Sequence, residues 1–297
     1  MSALPDCITQ VEIAPGFPVL DIRHPLATAR IALHGAHVME WTPAGEEPVL
    51  YMSPAAVIEQ GKPIRGGIPI CWPWFGPHAA DPTKPAHGFV RTERWSVDEV
   101  TADKDRVELV LGLAANGGSL MMWPHEFALR LRVSVGPMLE VGLTVQNTGV
   151  DAWTMTGALH TYLCVGDVTR VIIRGLHGTE FFEGRLSPEK RRQQGAVRIA
   201  QEVDRVYVSD AAVEVEDPAQ RRTLVIEKSG SHSTVVWNPW IEKSKRLPDL
   251  PDNAYPDFLC IETANAGEDS VVIDAGGEHR LLTRLQVRRG GLSRAGG

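Results

Sequence analysis

Two ionisable residues occupy settings that disfavour charge. His160 lies in MTGALHTYLC (155–164), a buried-strand-like run of small and apolar residues, and Glu262 closes an apolar run in FLCIETANA (258–266). A lone histidine in such a run is most often a core residue whose ring nitrogens are satisfied by neighbours. A buried carboxylate is costly unless paired, so Glu262 has a partner or a purpose. Together the two would form an acid–base pair. Glutamate, with a reference pKa of about 4.3, is ionised at neutral pH, and histidine, at about 6.5, can carry a proton to donate.

Arginines add a second kind of chemistry. Arg65 precedes GGIPICWPWFGPH (66–78), and His87 and Arg91 flank Gly-Phe-Val in PAHGFVRTERW (85–95). Read as extended, His87 and Arg91 point the same way, so Arg65 and Arg91 can face one pocket. Two guanidiniums make an anion site, because each presents a planar fork to carboxylate or phosphate oxygens. Surface ion pairs with Glu93 or Asp81 are the competing reading. Trp72, Trp74 and Phe75 offer flat faces on which a sugar can stack. A proline-rich cover over the core explains the same composition, and both readings stand.

Common signatures are missing: GxSxG, the P-loop, a GxGxxG opening a helix and HExxH do not occur. His34 and His37 are three apart, and on the strand expected over RIALHGAHVMEW (30–41) that spacing sends them to opposite faces. No metal or cofactor is expected. The net charge is −7 and no basic stripe occurs, which argues against a nucleic-acid partner. The densest basic cluster, EKRRQQ (189–194), reads as a solvated loop or short helix. A phosphorylated substrate stays open, since one or two placed arginines suffice for it.

The elements that must position these residues are strands. FALRLRVSV (127–135) alternates Phe127, Leu129, Leu131, Val133 and Val135 against Ala128, Arg130, Arg132 and Ser134. LEVGLTVQN (139–147) alternates likewise, and Gly136-Pro137 between them predicts a hairpin. RVELVLGL (106–113), TRVIIRGL (169–176), RTLVIEKS (222–229), STVVWNPW (233–240), DSVVIDA (269–275) and HRLLTRLQV (279–287) read as further strands. No 3.6-residue period competes, and no βαβ alternation occurs. With 28 glycines and 21 prolines, many of them between these runs, the pattern predicts an all-β antiparallel sandwich or barrel. The 297 residues carry no linker, tract or repeat, so one domain over 1–297 is expected. Two long irregular stretches, 52–95 and 238–260, are candidate functional loops. The four cysteines lack ligand spacing and read as free thiols of a reducing cytoplasm. Neither a leader nor a membrane span is expected.

The strings RGGIPICWPWFGP, AHGFVRTERW, GALHTYL, VVWNPW and FLCIETAN occur in this order over nearly the whole chain. Together they closely resemble the hexose-6-phosphate mutarotases, the glucose-6-phosphate 1-epimerase branch of the aldose 1-epimerase superfamily. The resemblance implies a large antiparallel β-sandwich like that of galactose mutarotase. It implies that His160 and Glu262 are catalytic, and that Arg65 and Arg91 contact the phosphate of a sugar phosphate. It places His87 on the site wall and Asp204, in EVDRVY, on sugar hydroxyls. Trp74 stands where some members carry glutamine; with Phe75 it is assigned to substrate, its exact contacts left open. The implied reaction interconverts α and β anomers without cofactor or metal. Glu262 takes the C1 hydroxyl proton and His160 protonates the ring oxygen, the two expected on opposite sides of C1. A monomer is expected. Two other readings stay open: a non-catalytic carbohydrate-binding protein on the same fold, and a mutarotase for unphosphorylated aldoses. A metal-dependent isomerase would need a His/carboxylate cluster that the sequence lacks.

Overall fold

The computed structural model describes residues 4–184 and 189–289. Every strand ladder among them is antiparallel. The protein is the all-β antiparallel sandwich that the period-two pattern predicts. Phe127–Val135 and Met138–Asn147 form the expected hairpin, with Phe127, Leu129, Leu131, Val133 and Val135 all buried. They sit in an eight-stranded sheet ordered Ile172–Arg174, Val213–Asp217, Arg222–Ser229, Glu278–Arg288, Met138–Asn147, Phe127–Val135, Val107–Ala114, Ser96–Ala102. A four-stranded meander of Ile8–Ala14, Phe17–His24, Ala27–Ala32 and His37–Pro43 lies beside it in sequence.

The site belongs to a second eight-stranded sheet. Its path runs Lys190–Arg192, Glu180–Glu183, Val203–Val208, Ser233–Asn238, Phe258–Asn265, Gly157–Leu159, Ile70–Cys71, and Tyr162–Cys164 also pairs with Phe258–Asn265. Alternation sends successive residues of these strands to opposite faces. One face, with Val203, Tyr207, Val236, Leu259 and Ile261, joins the main core, which runs from Ile8 to Leu285. The other face, with Val206, Val235, Trp237, Tyr162 and Cys260, carries a separate cluster. Leu250 and Ala254, from the irregular stretch after Asn238, cover that second face.

Three sequence expectations are corrected. The run 30–41 is not one strand: it breaks into Ala27–Ala32 and His37–Pro43, because Gly35 and Ala36 take positive φ of 70° and 46°. The basic cluster is neither loop nor helix, since Lys190–Arg192 is an exposed edge strand, a place where charge discourages further pairing. MTGALHTYLC is not a continuous strand; Trp153–Met155, Gly157–Leu159 and Tyr162–Cys164 are separate, and His160 sits in the second break.

Candidate active site

That break puts His160 where it is needed. On its two sides the register with Phe258–Asn265 is continuous, Leu159 facing Thr263 and Tyr162 facing Cys260, so His160 falls opposite Glu262. Directly opposed residues share a face. His160 Nε2 and Glu262 Oε1 lie 3.3 Å apart, with the residues 8% and 1% exposed. The His160 main-chain N–H donates to Pro69 O at 3.0 Å, in register with the pairing of Gly157–Leu159 and Ile70–Cys71. The phenol ring of Tyr162 stacks on the imidazole, centroids 4.8 Å apart at 11°. Trp237 meets the imidazole edge-on at 5.9 Å. The ring is thus held on three sides, and the carboxylate lies beside it instead of across a substrate-sized gap.

A cavity of about 280 Å³ opens above this pair. It brings together His160, Glu262, Arg65, His87, Arg91 and Asp204. Register explains Asp204 as well. It faces Trp237, and its neighbour Val206 faces Val235, which faces Glu262, so Asp204, Trp237 and Glu262 share one face.

Arg65 arrives on a loop pressed against the meander. Gly67 has φ +60°, and a Cβ there would meet Val38 O at 2.3 Å, so the chain can pass only as glycine. His37 anchors the same loop through its Nε2, 2.8 Å from Gly66 O. Complete burial pulls the His37 pKa down to about 3, which keeps the ring neutral. Arg65 Nη1 donates to Tyr162 OH at 2.9 Å, and its Nη2 lies 3.1 Å from Asp249 Oδ1. Burial opposes the Arg65 charge, but Tyr162 and Asp249 outweigh it and its pKa is raised. Burial likewise pushes the Tyr162 phenol far above its ordinary value, so it stays protonated.

His87 and Arg91 share the cavity by a route other than an extended segment. His87 and Gly88 take φ of +67° and +69°, and Val90–Thr92 is a 3₁₀ turn. A Cβ on Gly88 would stand 1.8 Å from Trp72 O, so glycine is obligatory there. Arg91 Nη2 donates to Ala86 O at 2.7 Å. Its Nε has no partner, and among the described residues no carboxylate pairs with it, so the expected competitors Glu93 and Asp81 leave it available.

Trp74 and Phe75 are not among the cavity residues. Trp74 is buried in the main core, with Nε1 donating to Pro85 O at 2.9 Å. Phe75 packs behind His87, centroids 5.0 Å apart. For these two rings the cover reading fits the geometry and the sugar-platform reading does not. Among the cavity residues that sequence reasoning missed are Tyr162, Trp237, Lys243 and Asp249. Tyr162 could have been found by one step of two from His160, whereas Trp237 lies on the strand beside that of Glu262 and needs the register between them. Lys243 and Asp249 lie on the irregular 238–260 stretch, whose path no local period encodes. Among the described residues no group of three or more His, Cys, Asp or Glu could hold a metal.

The arrangement can hold a proton donor and acceptor beside one reacting carbon, with cationic anchors in the same cavity. The sequence is similar to that of known proteins along most of its length. The aldose 1-epimerase family model matches residues 18–286. A relative from Escherichia coli strain K12 is 37% identical over 253 residues, 84% of each chain. One from Cenchrus ciliaris is 36% identical over 265 residues, 85% of this chain and 79% of its own. Both bear the name "Putative glucose-6-phosphate 1-epimerase". The crystal structure of "a putative mutarotase (YeaD)" from Salmonella typhimurium superposes with a TM-score of 0.91 at 31% identity, covering 98% of this chain and 96% of that one.

Proposed function

The chain belongs to the aldose 1-epimerase family, and from that premise we propose that this isomerase interconverts the anomers of hexose 6-phosphates, glucose 6-phosphate foremost. The observation that carries the reading is one cavity holding both the His160–Glu262 pair and two arginines. The names of the relatives support the phosphorylated substrate.

Glu262 accepts the proton of the C1 hydroxyl. The C1–O5 bond breaks as the C1 carbonyl forms, and His160 delivers a proton to O5. Rotation about C1–C2 turns the other carbonyl face toward the O5 hydroxyl. On closure His160 takes the proton back from O5 and Glu262 returns one to the C1 oxygen, so the enzyme ends as it began. The two oxygens served share C1. An acid and base side by side on one wall therefore suit them better than a pair on opposite sides of the sugar. Each transfer contributes about 10²–10⁴-fold.

Arg91 is the strongest phosphate candidate, because Arg65 already faces Asp249 while no carboxylate among the described residues pairs with Arg91. Remote binding of the 6-phosphate holds C1 over the pair. The main core from Ile8 to Leu285 supports a single domain, and we take the enzyme as a cytoplasmic monomer. No described helix is long and apolar enough to cross a membrane.

The test is anomeric exchange by NMR on glucose 6-phosphate and on glucose, with wild type and Arg91→Ala. The expected result is fast exchange of the phosphorylated sugar, and a KM raised roughly tenfold or more for it alone in the variant. No acceleration of either sugar by the wild type would leave a carbohydrate-binding protein. Equal effects of Arg91→Ala on both sugars would remove the phosphate contact.

A further inference from the structure

The order of groups across the sheet matches the order of atoms along a sugar. Asp204 is on Val203–Val208, Trp237 on the next strand, Glu262 on the next, and His160 opposite Glu262 beyond it. Arg65 touches Tyr162 at that far side. With neighbouring strands about 4.8 Å apart, Asp204 and Tyr162 stand about 14 Å apart, three spacings. A hexose 6-phosphate runs phosphate, C5, O5, C1, C2, C3. If the phosphate is at the arginines, O5 meets His160, C1 meets Glu262, and the C2–C3 edge reaches the Asp204 end.

A cation stands at that end. Lys243 lies on the short helix Trp240–Ser244 and lines the cavity. Its Nζ is 2.8 Å from Glu202 Oε1, 3.8 Å from Asp204 Oδ2 and 5.9 Å from the Trp237 ring centroid. An ammonium has three donors, and Glu202 uses one. The 3.8 Å separation from Asp204 is too long for a hydrogen bond but leaves the two groups positioned to share a hydroxyl. Asp204 Oδ1 has no hydrogen-bond partner either.

The loop is built to deliver this lysine. Trp240 takes φ +55° to begin the helix, and Asn238, fully buried, fixes the turn. Its Nδ2 donates to Tyr255 O and Phe258 O, both at 2.9 Å, and its Oδ1 accepts from the Trp240 N–H at 2.9 Å. These three bonds tie both ends of the 238–258 excursion to the strand that bears Trp237.

We propose that Lys243 is a specificity-determining residue that, with Asp204, grips the hydroxyls of the C2–C3 edge, opposite the phosphate end. The inference rests on the mutarotase reading. Lysine donates to one hydroxyl oxygen while the Asp204 carboxylate accepts a hydroxyl proton, so an edge lacking a hydroxyl, or presenting it with inverted stereochemistry, forfeits a charge-assisted bond.

The experiment compares wild type with Lys243→Met, which keeps the aliphatic stem over Trp237. Exchange is measured on glucose 6-phosphate and on its 2-deoxy and 3-deoxy analogues. The expected result is a KM raised about ten- to a hundredfold for glucose 6-phosphate. That penalty should vanish on at least one deoxy analogue, and Lys243→Arg should recover part of it. An equal penalty on all three sugars, or none on any, would overturn the inference while leaving an active mutarotase. If the wild type turns over only unphosphorylated aldoses, the phosphate reading fails instead. The same comparison on glucose, 2-deoxyglucose and 3-deoxyglucose then decides Lys243.

Discussion

His160 and Glu262 should behave as one device. Their facing atoms are 3.3 Å apart and both residues are buried, and in the proposed mechanism each serves one oxygen of the same carbon. Each transfer alone is worth about 10²–10⁴-fold, so independent groups would lose about 10⁴–10⁸-fold when both are removed. Ring opening needs both protons to move, and a half-pathway has little left to lose. Glu262→Gln and His160→Asn should therefore each cost about 10²–10⁴-fold, and the double variant little more than the worse single one. Rates come from anomeric exchange by NMR. The amide keeps the shape of a side chain that is 1% exposed, and melting temperatures of wild type and variants check that the fold survives. Losses that multiply would refute the coupled pair. Unchanged exchange in Glu262→Gln would refute the base assignment outright.

Asn238→Ala strands two carbonyls and one N–H, and at about 1–3 kcal/mol for an unmade buried bond a loss of roughly 3 kcal/mol is expected, a fall of roughly 6–12 °C in melting temperature. A melting temperature within 2 °C or so of wild type would mean that Asn238 does not fix the loop. His37 is held neutral with its pKa down at about 3, whereas an unfolded histidine titrates near 6.5. As pH falls from 6.5 the unfolded chain takes up a proton that the folded chain refuses, so stability drops by about 1.4 kcal/mol per pH unit, roughly 5 kcal/mol by pH 3. Urea titrations from pH 7 to 4 should show a shallower decline in His37→Gln than in wild type, and parallel declines would remove His37 from the acid limb.

The strands were legible because alternation is written locally. Phe127–Val135 and Arg222–Ser229 match their sequence runs residue for residue, since one buried face forces the pattern. The split of 30–41 was not legible, because Ala36 gives no sign of the positive φ it adopts there. His160 and Glu262 could be singled out as ionisable groups in apolar runs and put forward as an acid–base pair, but their side-by-side placement could not be read. It depends on register between segments a hundred residues apart, which no local period records. Trp74 and Phe75 looked like a sugar platform because composition cannot say which side of a loop an aromatic ring faces.

Lys243 shows why the rest of such a site escapes a linear reading. A strand fixes its own side chains to one of two faces, so a residue found on the site face predicts its neighbours at two-residue steps. From Glu262, opposition leads to Val235 and then Val206, and one step of two along each strand reaches Trp237 and Asp204. The sheet therefore supplies the proposed acid, the proposed base and the proposed hydroxyl acceptor in a fixed row. The donors that complete it, Arg65, Arg91 and Lys243, all come from the two irregular stretches. Each is set by a single tertiary device: Gly67 against Val38 O, Gly88 against Trp72 O, Asn238 across the turn at Trp240. This division has a consequence for substrate choice. Changes confined to those loops should move the cations without disturbing the His160–Glu262 register, and so alter the sugar bound while sparing the proposed acid–base pair.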